Sequence, residues 1–205
     1  MTTLVIASGN AGKVREFAQL LEGLGLDTQP QPEGIEVEET GDTFAANASL
    51  KAEAVAQATG QWALADDSGL SVDALGGVPG VHSARYAATD AARIERLLQE
   101  LNDAGALDPA ARSARFTAAL ALANPSGRVV LEVEGHCPGQ ILMERRGDGG
   151  FGYDPVFFVP EVQLTFAEMP KALKADVGHR GRAFAALKPQ LQALLSQKET
   201  RFFSL

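Results

Sequence analysis

The feature that most constrains this fold lies between residues 4 and 25. A short apolar run, Leu4-Val5-Ile6-Ala7, ends in the polar, glycine-containing Ser8-Gly9-Asn10-Ala11-Gly12-Lys13. Val14, Phe17, Ala18, Leu20, Leu21 and Leu24 then recur at helical spacing, and Gly23 and Gly25 supply stop signals. A compact apolar run followed by a 3.6-residue period is a buried strand turning into an amphipathic helix. The chain therefore opens strand–turn–helix, the unit from which α/β sheets are assembled.

The same logic continues along the sequence. Pro30-Gln31-Pro32-Glu33-Gly34 reads as a loop. Asp42 or Thr43 can cap an alanine-rich helix over about 43–58, with Gly60 just past its end. Trp62-Ala63-Leu64-Ala65 reads as a strand running into Asp66-Asp67-Ser68-Gly69, where a turn is expected. Gly76-Gly77-Val78-Pro79-Gly80 is incompatible with regular structure. Asp90 is the expected cap of a helix carrying Ile94, Leu97, Leu98 and Leu101 on one face. Phe116, Ala118, Leu120 and Leu122 alternate with their neighbours as in a strand, as do residues 129–134. Pro138-Gly139 predicts a hairpin turn to a strand at 140–143. A glycine-rich loop, 147–155, leads into the apolar Val156-Phe157-Phe158-Val159, and a last helix is expected over about 179–197. Alternating strands and helices early, with adjacent antiparallel strands later, predict one mixed-sheet α/β chain without a linker.

Composition narrows the class. Of 205 residues, 45% are hydrophobic and 21% charged, which fits an ordinary globular chain and argues against disorder. With 18 basic and 26 acidic residues the formal net charge is −8, so there is no overall basic footprint for nucleic acid or an anionic membrane. No apolar run approaches the roughly 20 residues needed to span a bilayer, and the N-terminus lacks the pattern of a signal peptide. The one cysteine, Cys137, excludes an internal disulfide and a thiolate cage, and three histidines make a His-based metal site a poor expectation. The expectation is a soluble cytoplasmic α/β domain with no nucleic-acid and no membrane partner.

Four clusters spend polar or glycine residues where a plain core would not. Ser8 to Lys13 could cradle an anion at a helix start, with Lys13 adding a point charge. It is not a Walker A loop, because Gly12-Lys13 is followed by Val14. Glu38-Glu39 and Asp66-Asp67 are acidic pairs of the kind that hold Mg²⁺ through oxygen ligands. On a strand, the side chains of Asp66 and Asp67 should point opposite ways. A turn or capping role is equally open to them. The fourth cluster joins Phe151-Gly152-Tyr153-Asp154 with Lys174 and His179-Arg180. An aromatic on a glycine loop can lie flat on a base, and the charged groups can bond its edge. The alternative places Phe151 and Tyr153 in the core and leaves His179-Arg180 at a helix N-terminus, where cations oppose the dipole. Together, a phosphate cradle, acidic metal ligands and a base-reading face suggest a nucleoside triphosphate and metal-assisted phosphoanhydride hydrolysis.

Seven motifs then occur in order: SGNAGK (8–13), EETGDTF (38–44), NASLKA (47–52), ADDSGL (65–70), PGVHSARYA (79–87), GGFGYDPVF (149–157) and HRGRA (179–183). With them the chain resembles the RdgB-type inosine/xanthosine triphosphate pyrophosphatases over roughly residues 4–195. The tail from Lys198 to Leu205 carries no family signal. The resemblance implies the ITPase-like (Maf/Ham-type) α/β fold, a long curved mixed sheet with flanking helices, in a single domain, 1–205, of two lobes around a deep cleft. It also implies a cytoplasmic homodimer. The implied activity is that of a hydrolase acting on acid anhydrides. It converts the non-standard purine nucleotides dITP, ITP and XTP to the monophosphate plus pyrophosphate and keeps them out of DNA and RNA. The implied cofactor is Mg²⁺, with Mn²⁺ as a substitute.

Carried onto this sequence, the resemblance implies that Ser8, Gly9, Asn10, Ala11, Gly12 and Lys13 hold the triphosphate, with Asn10 and Lys13 as the main polar contacts. Glu39 and Asp67 would bind the metal, and Asp67 would accept the proton of the attacking water. Ser68 would contact substrate. Phe151, Gly152, Tyr153 and Asp154 would line the base pocket, with Phe151 stacking. Lys174, His179 and Arg180 would contact the nucleotide, the last two near the purine 6-oxygen. Asp66, Asn47 and Lys51 stand as supporting residues, Lys51 as a phosphate-side charge or a structural group. Departures from the family pattern are few. Ser8 stands where threonine is common, Ala88 where glycine is usual, and Gly178 where serine is common, removing a cap hydroxyl before His179. A Maf-type pyrophosphatase of different base preference and a non-catalytic nucleotide-binding regulator are the competing readings.

Overall fold

The computed structural model describes residues 2–202, with side chains described for 2–196. The order of elements is β1 (Thr2–Ile6), α1 (Ala11–Leu20), β2 (Leu26–Pro30), α2 (Phe44–Thr59), β3 (Trp62–Val72), α3 (Asp90–Asp103), β4 (Ser113–Ala123), β5 (Val129–Ile141), β6 (Phe157–Val159), β7 (Leu164–Thr165), α4 (Lys171–Val177) and α5 (His179–Phe202). Short 3₁₀ turns fill 73–75, 80–85 and 109–112. The strands form one mixed seven-stranded sheet in the order β2-β1-β3-β4-β5-β6-β7. β1 runs parallel to β2 and β3, whereas β5–β6 and β6–β7 are antiparallel. None of the described helices is long and apolar enough to cross a membrane. The tail expected over 198–205 continues α5 to Phe202, and its last three residues lie outside the described residues.

The chain divides into two compact units whose boundaries fall inside β3, β4, β5 and α5. The first takes the residues up to Asp67, Ala119–Glu134 and the chain from Ala183 onward; the second takes Ser68–Ala118 and Gly135–Arg182. Their cores differ in grain. In the first, α2 lays Ala48, Ala52, Val55 and Ala56 on Val5 of β1 and Ala7 just after it, Ala63 and Ala65 of β3, and Ala119, Ala121 and Ala123 of β4. Small side chains on both surfaces bring the helix backbone close to the sheet. In the second, Leu70, Ile94, Leu97, Leu101, Phe116, Tyr153, Phe157 and Phe166 fill the interior with large groups.

Several local expectations are met for physical reasons. Thr43 caps α2 through Ala46, and Gly60 ends α2 in the left-handed conformation at φ 64°; the cap of α1, Asn10, which accepts from the N–H groups of Gly12 and Lys13, had no counterpart among the expectations. Others are corrected. α3 is capped by Thr89, whose backbone is extended and whose hydroxyl accepts from Ala92, so that Asp90 becomes its first helical residue. The strand from Trp62 does not end at Asp66 but runs on to Val72, placing both aspartates mid-strand. There is no hairpin at Pro138-Gly139, because β5 is continuous from Val129 to Ile141. Gly139 serves close approach instead of a turn. A Cβ there would lie 2.5 Å from the Phe157 ring and 2.6 Å from the Phe158 carbonyl oxygen. Strands β2 and β7 and helix α4 lay beneath the sequence signals, being short and weakly apolar.

Gly139→Ala is therefore expected to destabilise the fold by about 1–3 kcal/mol through overpacking against β6. Chemical denaturation measures it, and an unchanged midpoint would contradict the close-approach role.

Candidate functional site

In the first unit, three carboxylates and two lysines meet. Period two on β3 sends Asp66 and Asp67 to different partners. The Lys13 ammonium, one turn into α1, lies 2.7 Å from Asp66 Oδ2, and the Asp66 side chain is only 2% exposed. The Lys51 ammonium, on α2, lies 2.9 Å from Asp67 Oδ1 and 2.9 Å from Glu39 Oε1. Asn47 stands one helical turn before Lys51 on the same face of α2. It is fully buried, and its Oδ1 accepts from Gly41 N–H at 2.8 Å. A Cβ at Gly41 would fall 2.8 Å from that oxygen, so the glycine lets the loop carrying Glu39 close onto the helix. Glu38 is exposed and outside the cluster.

The two pKa directions follow from one shared ammonium. Burial pushes the Asp67 carboxyl up; Lys51 draws it back, Glu39 adds to the rise and Lys13 opposes it, and the balance lies above the ordinary carboxylate value. Burial alone would lower Lys51, but Asp67 and Glu39 together outweigh it and hold the ammonium more basic than usual. Lys51 divided between two acids does not restore what Asp67 loses on leaving water. Asp67 Oδ2 is buried with no hydrogen-bond partner among the described residues.

Among the described residues, no group of three His, Cys, Asp or Glu side chains is placed to hold a metal ion. The donors that do converge, Glu39 and Asp67, suit Mg²⁺ nonetheless. That ion keeps several waters and takes one or two carboxylates plus substrate phosphates in preference to an all-protein cage. The buried, unpartnered Asp67 oxygen and the excess of three carboxylates over two ammonium groups both fit an added cation.

The glycine turn before α1 is less open than its composition suggests. Gly12 and Lys13 N–H are already taken by Asn10 Oδ1, at 2.8 and 3.2 Å, and Asn10 N–H is taken by Ser8 Oγ at 3.1 Å. Ser8, Gly9 and Ala11 line a cavity of about 540 Å³ together with residues 30–36.

In the second unit, Phe151 stands out at 56% exposure, against the expectation's core alternative. The Lys174 ammonium lies 5.1 Å and the Arg180 guanidinium carbon 5.7 Å from its ring centre. Asp154 is buried, accepts from Phe151 N–H at 3.0 Å, and pairs with Lys174 at 2.5 Å. Arg180 donates to Ser68 Oγ at 2.9 Å. His179 is buried and stacks on Phe116 and Phe166, with ring centres 4.8 and 5.8 Å apart. Tyr153 behaves differently from Phe151: it is a core residue whose hydroxyl donates to Ser83 O at 3.0 Å, burial raising its pKa. Gly178, where a cap hydroxyl is missing, has its own reason. A Cβ there would meet Lys174 O at 2.4 Å. Sequence reasoning missed Phe116 and Phe166 as supports of His179, since aromatic residues in strand-like runs signal only core.

A mixed sheet of this order, with paired acids and lysines in one unit and an exposed aromatic among cations in the other, defines an α/β protein with a polar cluster in each unit. Comparison with known proteins makes that specific. The Ham1 family model matches residues 4–190, and the chain belongs to the Ham1 family. It is 63% identical over 196 residues to the dITP/XTP pyrophosphatase of Parasynechococcus marenigrum (strain WH8102), covering 96% of this chain and 98% of that protein. It is 55% identical over 193 residues to the protein of the same name from Nostoc sp. (strain PCC 7120), covering 94% and 96%. Among solved structures, the HAM1 protein from Coxiella burnetii matches with a TM-score of 0.85 at 43% identity, covering 96% of this chain and all (100%) of that one. The Staphylococcus aureus Ham1 protein matches at 0.81 and 37%, again covering 96% and 100%.

Lys51→Met removes the group that draws the Asp67 proton off, so in the metal-free protein the Asp67 carboxyl moves further up, read by carboxyl-carbon NMR titration. Folded Asp67 then keeps its proton to higher pH than the unfolded chain, whose carboxyl titrates at about 3.9. The contribution of Asp67 to the variant's stability is accordingly fully present below that value and is lost as pH climbs through the folded one. A carboxyl titrating at or below its wild-type position would contradict the clamp.

Proposed function

We propose that the chain is a house-cleaning nucleoside triphosphate pyrophosphatase that hydrolyses dITP, ITP and XTP to the monophosphate plus pyrophosphate. The observation that carries this reading is the Lys51 ammonium held between Glu39 and Asp67, with Lys13 on Asp66 beside it in sequence. Relatives that carry the name dITP/XTP pyrophosphatase at 50–64% identity support it.

In this reading Lys13 and Lys51 neutralise the phosphates, and Asn10 and Ser8 shape the turn that receives them. Glu39 and Asp67 hold Mg²⁺, which, when bound, offsets phosphate charge and polarises the scissile anhydride. Asp67 accepts the proton of a water as the water oxygen bonds to the α-phosphorus. The bond from that phosphorus to the bridging oxygen breaks, and pyrophosphate leaves. Asp66 is then the anchor of Lys13 and not a metal ligand.

The base lies against Phe151, with Lys174 contacting the nucleotide and His179 and Arg180 offering donors to a 6-oxo group. Asp67 and Ser68 are consecutive on β3, the first in the acid cluster and the second bonded to Arg180. Adenine presents an amine where the site offers donors. Each buried donor left unpaired costs about 1–3 kcal/mol, so a few suffice to reject ATP by orders of magnitude. Retention of the family motifs over nearly the whole chain supports a single cytoplasmic domain acting as a homodimer.

A nucleotide panel scored by pyrophosphate release tests the activity: dITP, ITP and XTP should far exceed ATP, dTTP and UTP. A preference for pyrimidines would favour a Maf-type enzyme, and binding without turnover a regulator. Asp67→Asn should lower turnover by at least about 100-fold while ITP binding persists; full turnover would remove Asp67 from its role. Lys13→Ala should weaken triphosphate binding more than nucleoside binding, and equal losses would refute its phosphate role.

A further inference from the structure

The PGVHSARYA stretch, 79–87, is left without a task by the chemistry above, although it stands among the seven ordered motifs. Its contacts lead to the aromatic loop. Tyr153 donates to Ser83 O at 3.0 Å, and Ser83 is itself fixed, accepting from Leu70 N–H at 2.9 Å and donating to Gly80 O at 2.6 Å. Just beyond the stretch, Asp90 splits its carboxylate. Oδ1 takes Arg93 Nη1 at 2.7 Å, and Arg93 Nε donates back to Ala87 O at 3.1 Å. Oδ2 takes the backbone N–H of Gly152 at 2.7 Å, a contact spanning 62 residues of sequence.

Gly152 follows Phe151 directly, and both Gly150 and Gly152 adopt positive φ, 74° and 60°. Such a loop has little intrinsic stiffness, since glycine carries the largest backbone entropy. Yet Phe151 is exposed, so no core packing holds its ring. What fixes it is a pair of carboxylates on consecutive N–H groups: Asp154 on Phe151 and Asp90 on Gly152. Asp154 also pairs with Lys174, whereas Asp90 comes from another part of the chain and ties the Gly152 backbone to it, as Tyr153 ties its ring to Ser83.

We propose that Asp90 is a positioning residue for the purine: by accepting the Gly152 N–H it fixes the exposed Phe151 ring, with Arg93 and the 79–87 stretch as its footing. The inference rests on the reading that Phe151 lies against the base. Pre-ordering the ring removes an entropy cost that binding would otherwise carry. It acts on affinity and leaves the hydrolytic groups untouched.

Steady-state kinetics with dITP and titration with IMP test this in Asp90→Ala, Asp90→Ser, Asp90→Asn and Phe151→Ala. Serine suits a helix start but is too short to reach Gly152, so it replaces the alanine variant if that one fails to fold. Alanine and serine should raise KM for dITP and weaken IMP binding by about 3- to 15-fold, with kcat within about twofold. Asparagine, whose carboxamide oxygen still accepts from Gly152, should stay within about twofold of wild type in both. Unchanged KM in the alanine and serine variants, with KM raised in Phe151→Ala, overturns the proposal alone. Equal losses in the asparagine and serine variants also overturn it, since the charge at the helix start would then be the cause. Unchanged KM and IMP affinity in Phe151→Ala overturns the base reading itself.

Discussion

One ammonium group shared by two carboxylates organises the first unit. Lys51 bridges the loop before α2 to the middle of β3, joining Glu39 to Asp67. It does so because α2 lies close on the sheet, which its alanine face permits, and because Asn47 pins Gly41 one turn earlier. Two carboxylates sharing a single lysine keep an excess of negative charge, which an added divalent cation would offset. Asp66 takes Lys13 in the same way, so the two adjacent aspartates anchor different lysines.

The second unit is built on the opposite principle. Large apolar side chains fill it, and the polar groups that matter are mounted on that mass: His179 against Phe116 and Phe166, Arg180 on Ser68, and Lys174 on Asp154. Against this background an exposed phenylalanine needs a reason. Its neighbours are cations, and its backbone is held by acids, an environment that fits the proposed contact with a planar ligand. Rigid aromatic surfaces give contact area at low entropic cost, so a well-held ring discriminates by the edge groups around it.

Much of this was legible in the sequence where local physics decides. The strand–turn–helix opening, the Thr43 and Gly60 ends of α2 and the alternation in β4 follow from capping, propensity and period. Asp66 and Asp67 diverge as a strand requires. What the residues concealed depends on distant partners. Gly139 looks like a turn because its neighbour Phe157 is 18 positions away in sequence, and only the packed structure shows that the glycine admits a ring. Asp90 looks like a cap, whereas Thr89 takes that task and frees it for Gly152. Phe151 and Tyr153, two apart in one motif, separate into surface and core for reasons no spacing encodes. The motifs in order identified the family; the division of labour inside each motif required coordinates.

The central claim is that Glu39 and Asp67, with Lys51 between them, form the phosphate and metal end of the site. A crystal structure with Mg²⁺ and a dITP analogue that resists α–β cleavage addresses it most directly. The account predicts a cation on Glu39 and Asp67, the α-phosphate within reach of a water on Asp67, and Lys13 turned toward the phosphates. A cation and triphosphate bound elsewhere, with the Lys51 bridge intact and unvisited, would contradict it.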